Sequence, residues 1–248
     1  MEVKQFTGDF SNGFFIVDGD NVIAVDTGCE EGEDLYLGHC RECGIDPAKI
    51  KLLVLTHGHS DHYMNTEAIR KLTGAPSLVH EQDAHFMENG ELPDVDICGR
   101  TKLGIWILEE QAKAGHGPVT EAPKATIDIK WSGTEYDLKP WGINGTIYLT
   151  PGHTLGSVSI LLEDGSAFVG DNFAQWQPET GGGPAFLRSE KAAYEDVTDS
   201  LLMLIGKGAK IFYSGHGGPY TAEFVKQKIR EEKQGKEVGD DYLAALGK

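Results

Sequence analysis

The chain has 248 residues, of which 40% are apolar and 25% charged, and it carries a formal charge of −17. A chain of this length buries roughly three-quarters of its unfolded surface and suits one globular domain, not a disordered segment. So acidic a surface repels phosphate backbones and anionic lipid, so no nucleic-acid or membrane partner is expected.

Phe14 to Val17 and Val22 to Val25 are apolar runs joined by Asp18-Gly19-Asp20-Asn21, which predicts a hairpin. Glu33 to Cys43 has helical composition, and Leu52 to Leu55 reads as a short buried strand. Asn65 to Leu72 predicts a helix that stops at Gly74, and Ser77 to Val79 a further strand. Residues 81–130 interrupt this alternation. Only Lys102 to Ala114 has helical spacing there, and the segment reads as an insertion, a lid over a site. From Tyr136 the β pattern returns, with strands at Ile143 to Leu149, Val158 to Leu162 and Ala167 to Val169; Glu163-Asp164-Gly165 joins the last two. Asn172 to Ser189 is a long loop. Glu190 to Ile205 predicts a helix capped by Ser189, Ile211 to Tyr213 a strand, and Thr221 the cap of a last helix. Strands interleaved with helices predict a layered α/β fold in a single domain spanning 1–248.

The chemistry gathers at strand ends. His57-Gly58-His59-Ser60-Asp61-His62 directly follows the 52–55 strand. Imidazole nitrogen and carboxylate oxygen suit zinc, iron and similar divalent ions. His57 and His59, two residues apart on extended chain, face one way. Asp61 and His62 follow the turn and can serve a second ion a few ångströms away. His153, Asp171 and His216 each follow another strand, so four strand ends supply seven ligand-type side chains. An internal echo accompanies this: Leu52 to His57, Ile147 to His153 and Ile211 to His216 are each an apolar strand, a small turn and a histidine.

These strings resemble the metallo-β-lactamase superfamily of metal-dependent hydrolases. Asp26-Thr27-Gly28 is similar to its first motif, Thr56 to His62 to its second, and His153, Asp171 and His216 to its third, fourth and fifth. The resemblance implies a four-layer αββα sandwich of two related halves. It implies one metal held by His57, His59 and His153, a second held by Asp61, His62 and His216, and Asp171 bridging both. Zinc is the expected metal, with iron and manganese suiting the same donors. Two such ions would supply a bridging hydroxide as nucleophile. Asp61 is the candidate catalytic residue, orienting that hydroxide or moving a proton. Asp26 either braces the 57–62 loop from outside or serves only its own turn.

Thr150 to Ser157 and Gly215 to Pro219 resemble the glyoxalase II-like thioesterases and lactonases, whereas Asp171 points away from antibiotic hydrolysis. The expected activity is hydrolysis of a small ester, thioester or lactone. The alternatives are an iron-dependent thiol or persulfide dioxygenase and a non-catalytic metal-binding protein of the same fold. His116, in a Gly-His-Gly-Pro string like that of His216, is assigned to the lid. His39, His80 and His85 are read as structural or surface residues, and Trp176, Phe186 and Tyr194 as packing residues, with a wall of the substrate pocket as the alternative. Cys40 and Cys43 form a CxxC with no second pair, which reads as two thiols on one helical turn. No apolar run reaches the ~20 residues of a membrane span, and residues 1–10 carry no secretory pattern, so a cytoplasmic setting is expected.

Overall fold

The computed structural model describes residues 1–9, 11–29, 32–93, 122–175, 183–188 and 196–235, with isolated positions at 105, 106, 109, 113, 243, 244 and 247. Two six-stranded mixed sheets form its centre. The first holds, in spatial order, β1 (Glu2–Thr7), β2 (Asn12–Asp18), β3 (Asn21–Val25), β4 (Ile50–Val54), β5 (Ser77–His80) and β6 (Ile129–Trp131). Its first three strands pair antiparallel and the rest parallel. The second sheet comprises β7 (Glu135–Asp137), β8 (Gly145–Leu149), β9 (Val158–Leu162), β10 (Ser166–Phe168), β11 (Ile211–Tyr213) and β12 (Tyr220–Thr221), also neighbours in chain order. Here only β10 and β11 are parallel.

Strand alternation explains the layering. Phe14 and Ile16 of β2 face the other sheet, where they join Ile23, Leu52, Leu78, Ile147, Ile160 and Phe168 in a central core. Phe15 points the opposite way, into a core with Leu53, Val79, Tyr36, Ile69 and Met87. That outer layer is built from α1 (Glu33–Cys43), α3 (Thr66–Thr73) and α4 (Glu81–Asn89); a short α2 (Ser60–Tyr63) precedes α3. Leu161, Ala167 and Phe212 face outward from the second sheet onto Val197, Leu201, Leu204, Val225 and Ile229. These come from α5 (Asp196–Gly206) and α6 (Ala222–Lys233), the latter capped by Thr221 as expected. The result is the four-layer αββα sandwich.

The structure adds elements that sequence pattern did not signal. β1, β6, β7 and β12 are short or mostly polar, with little apolar alternation to read. Within 81–130, α4 buries Ala84 and Met87 in the first outer core, and β6 closes the first sheet. Both ends of that segment are thus part of the sandwich. Of the 102–114 segment only positions 105, 106, 109 and 113 are described, all helical, while His116, Trp176 and Tyr194 lie outside the described residues, as does the 190–195 start of the helix found at Asp196–Gly206. Phe186 packs on Phe173 with ring centroids 5.0 Å apart. Cys40 is buried against the first core, and burial pushes its thiol up to about 12, which suits packing rather than redox chemistry. Among the described residues no helix is long and apolar enough to cross a membrane.

Asp128 ties the outer layer to the sheet. It receives two hydrogen bonds from Arg70 of α3, at 2.8 and 2.6 Å, and one from the Ser77 amide of β5 at 2.9 Å. The Arg70 hydrogen bonds hold its carboxyl down to about 2. A carboxylate depressed in the folded state stabilises fully above its unfolded value of ~3.9, and the effect is lost as pH falls toward the folded value. Asp128→Ala should therefore cost about 1 kcal/mol near neutrality, solvent screening having been allowed for. The gap between variant and parent in denaturant midpoints should narrow from pH 5 to pH 3; a gap that widens would contradict this account.

Candidate metal centre

All seven ligand-type residues meet at one end of the sandwich, where β4, β8, β10 and β11 deliver their following loops. They form two groups. In one, His57, His59 and His153 bring one ring nitrogen each within 4.8 Å of the others; in the other, a carboxylate oxygen each from Asp61 and Asp171 and a ring nitrogen each from His62 and His216 lie as close. His153 Nε2 lies 2.9 Å from His59 Nδ1 and 3.1 Å from His57 Nε2. His62 Nε2 lies 3.3 Å from Asp61 Oδ2 and 3.4 Å from Asp171 Oδ1. His216 Nε2 lies 3.2 Å from Asp61 Oδ2 and 3.1 Å from Asp171 Oδ2. Asp171 sits between the groups, its Oδ2 also 3.8 Å from His153 Nε2.

The two groups differ electrically. Burial is the largest influence on His57, His59 and His153 and disfavours their charged forms. It takes His59 down to about 4 and His153 to about 3, and neighbouring histidines push His57 further below its ordinary value. Three neutral imidazoles result. In the other group burial opposes charge as well, but the carboxylates override it. Asp171, Asp61 and Asp26 hold His62 well above its usual range, and Asp171 and Asp61 raise His216 to about 10. In return His62 and His216 hold Asp61 and Asp171 well below the carboxylate range, against desolvation.

A metal fits both groups on the chemistry of the donors. Thr56 Oγ1 gives its proton to Asp26 Oδ2 at 2.7 Å and can then accept only from His57 Nδ1 at 3.0 Å. That tautomer leaves His57 Nε2 as a lone pair facing the Nε2 of His153. His62 Nδ1, 2.9 Å from Asp26 Oδ2, is fixed as a donor in the same way, so Nε2 faces the carboxylates. His62 Nε2, Asp61 Oδ2 and Asp171 Oδ1 are buried atoms with no hydrogen bond. Converging buried imidazoles and carboxylates of this kind suit a divalent cation.

Asp26 thus braces the 57–62 loop, as one of the two readings of it had it. Its φ of +56° is the only positive value at a non-glycine among the described residues, and its carboxylate also accepts from the Thr56 amide at 2.7 Å. Such a conformation costs about 1–3 kcal/mol and persists where surrounding bonds over-determine it. His80, by contrast, accepts from Gln82 N at the start of α4 and lies 3.3 Å from the Gly133 carbonyl, a structural role.

Other supporting residues gave no local signal. The Ser11 hydroxyl donates to the Asp61 carbonyl at 2.7 Å. Asn12 Nδ2 donates to the Ser214 and Gly217 carbonyls, both at 3.0 Å, and so grips the His216 loop. Asn172 Oδ1 accepts from the His153 amide at 3.1 Å. Asp83 of α4, 1% exposed, accepts from Gly58 N, Thr154 Oγ1 and Gly156 N.

The chain resembles known proteins of one family. The family model of the metallo-β-lactamase superfamily matches residues 6–216. A probable metallo-hydrolase of Methanocaldococcus jannaschii is 27% identical over 179 residues, covering 70% of this chain and 75% of that protein. The probable metallo-hydrolase YflN of Bacillus subtilis is 24% identical, covering 92% and 89%. A hydroxyacylglutathione hydrolase of Anaeromyxobacter dehalogenans is 30% identical over a shorter stretch, 48% of this chain and 42% of that one. Among solved structures, the B3 metallo-β-lactamase BLEG-1 superposes with a TM-score of 0.61 at 22% identity, covering 92% and 97% of the two chains. TTHA1623 in a di-iron-bound form gives 0.63 at 17%, covering 90% and 97%. The chain belongs to the metallo-β-lactamase superfamily.

Proposed function

We propose that this chain is a dinuclear metal-dependent hydrolase of a small ester, thioester or lactone. The observation that carries the reading is the pair of buried donor groups, three neutral imidazoles beside two imidazoles and two carboxylates, with Asp171 between them. His57, His59 and His153 would hold one ion and Asp61, His62 and His216 the other, with Asp171 shared. Divalent ions in these positions supply a hydroxide nucleophile at neutral pH and polarise the scissile carbonyl.

The chain's own residues do the rest. Asp61 is the one member of its group open to solvent, its side chain 14% exposed against 3% or less for His62, Asp171 and His216. It is therefore the group placed to orient the attacking water and relay its proton outward to the leaving group. Asp26 and Thr56 keep the acceptor nitrogens of His62 and His57 turned inward. The buried imidazoles exclude bulk water from the reacting atoms and so strengthen every charge interaction there.

The relative that is named a hydroxyacylglutathione hydrolase supports the thioester side of this reading. Zinc is the proposed metal; a neighbour in fold that holds two irons keeps iron as the rival. The test is metal analysis of the purified protein followed by a panel of ester, thioester and lactone substrates on the metal-loaded enzyme. About two metals per chain with hydrolytic turnover is the expected result. A single iron with oxygen consumption on a thiol-derived substrate would overturn it in favour of oxygenase chemistry.

A further inference from the structure

Asp83 sits on α4, a helix that carries none of the seven ligand-type residues. Its carboxylate nevertheless reaches both loops that carry the three-histidine group. Oδ2 accepts from the Gly58 amide at 2.8 Å, inside the His57-Gly58-His59 turn. The same oxygen accepts from Thr154 Oγ1 at 2.7 Å, and Oδ1 accepts from the Gly156 amide at 3.0 Å, both just after His153. Thr154 is held a second time, by its amide donating to Ser157 Oγ at 2.9 Å. The two loops are joined elsewhere, Val158 N donating to the Thr56 carbonyl at 2.9 Å, but that contact lies on the strand side of the histidines. On the far side, among the described residues, Asp83 hydrogen-bonds to both.

The fit is close. A methyl group at Gly156 would lie 2.4 Å from Asp83 Oδ1 and 2.8 Å from its backbone nitrogen, so glycine is required there by the approach of α4. Three donors converge on a buried carboxylate with no cation among them, an arrangement that serves an anion whose oxygens are all acceptors.

We propose that Asp83 is a positioning residue for the first metal: it fixes the distance between the His57-His59 turn and the His153 turn, and so the mutual placement of the three imidazoles. This rests on reading those histidines as metal ligands. It makes α4 mechanically continuous with the metal site. Outer residues that orient ligands in this manner typically change metal affinity by about 10- to 100-fold.

The experiment compares parent, Asp83→Asn, Thr154→Val and Thr154→Ser in titrations of the metal-free proteins with Zn2+ against a competing chelator. His153→Ala serves as the reference for a broken first group. Asparagine keeps the size of Asp83 but offers one acceptor oxygen, and its amide then meets a backbone N–H as donor against donor. Asp83→Asn should weaken one of the two zinc sites about 10- to 100-fold and leave the other within about threefold, matching the His153→Ala pattern. Thr154→Val, which removes the hydroxyl's bonds to Asp83 and Ser157 but leaves both amide bonds to Asp83, should weaken the same site about fivefold, and Thr154→Ser should restore it. Amide hydrogen exchange at Gly58 and Gly156 in the metal-free protein should speed up in Asp83→Asn. Unchanged affinity at both sites with those amides deprotected overturns the proposal. Should Asp83→Asn fail to fold, an unchanged affinity in Thr154→Val overturns it instead. A parent protein that binds no zinc is a different failure, that of the hydrolase reading itself.

Discussion

The His59→Ala protein is expected to lose hydrolytic activity by two orders of magnitude or more, beyond the roughly 10- to 100-fold that removal of an outer residue costs. It should retain one tightly bound metal instead of two. His59 Nδ1 faces His153 Nε2 at 2.9 Å, and both rings are held neutral by burial, so in the metal-free protein they share one hydrogen bond that a bound cation would replace. Removing one imidazole takes away a third of the first group's donors and, in the metal-free protein, breaks the one hydrogen bond to His153. His59 also lies outside the three apolar cores and stands at the N-terminus of α2 with no side-chain capping bond. Metal-free stability should change by less than about 1 kcal/mol. The stabilisation that added metal confers on the parent should shrink, because a ligand stabilises only the state that binds it. Thermal melts with and without Zn2+, run beside metal analysis and turnover, read all three effects. Full activity with two metals bound would remove His59 from the site.

What could be read from the sequence divides along a physical line. His57, His153, Asp171 and His216 were legible because each directly follows an apolar run, and a buried strand that ends in a polar donor places that donor at the edge of the sheet. The alternation of Phe14, Phe15 and Ile16 likewise carried the layering, since neighbours on a strand enter opposite cores. Asp83 was not legible. It lies in Glu81-Gln82-Asp83-Ala84-His85, a polar helical turn that looks like a solvated surface, and its partners Thr154 and Gly156 are 71 and 73 positions away. Asn12 is a more extreme case, with hydrogen-bond partners 202 and 205 residues distant. Local composition reports burial poorly for a short polar side chain whose satisfaction comes from a remote loop. The short strands β6, β7 and β12 were missed because two or three residues carry too little alternation to register as a pattern.

Gly215 shows the same limit in a glycine, and its replacement should be the most damaging single-methyl change in the second group. Within Ser214-Gly215-His216-Gly217-Gly218 it looks like one more turn residue. Its actual constraint is steric, because an added Cβ would lie 2.2 Å from Asp171 Oδ1 and 2.4 Å from His62 Cε1. Neither side can yield cheaply. The backbone at 215 is pinned by Gly215 N donating to the Gly170 carbonyl at 2.8 Å and by its own carbonyl accepting from Asn12 N at 2.7 Å. His62 is tethered to Asp26, and Asp171 lies between the two donor groups. Overpacking of this kind costs about 1–3 kcal/mol, and here the displaced atoms are the proposed ligands themselves. Gly215→Ala should therefore fold, with a lowered denaturant midpoint, while losing most of its affinity for the second metal and at least about 100-fold in turnover. Because Asp171 is shared, the first metal should weaken too, but less than in His59→Ala. Zinc titration of the two variants side by side distinguishes these patterns. Parental affinity at both sites in Gly215→Ala would mean that the 214–218 loop does not press against His62 and Asp171 in solution, and that His216 approaches the centre by another path.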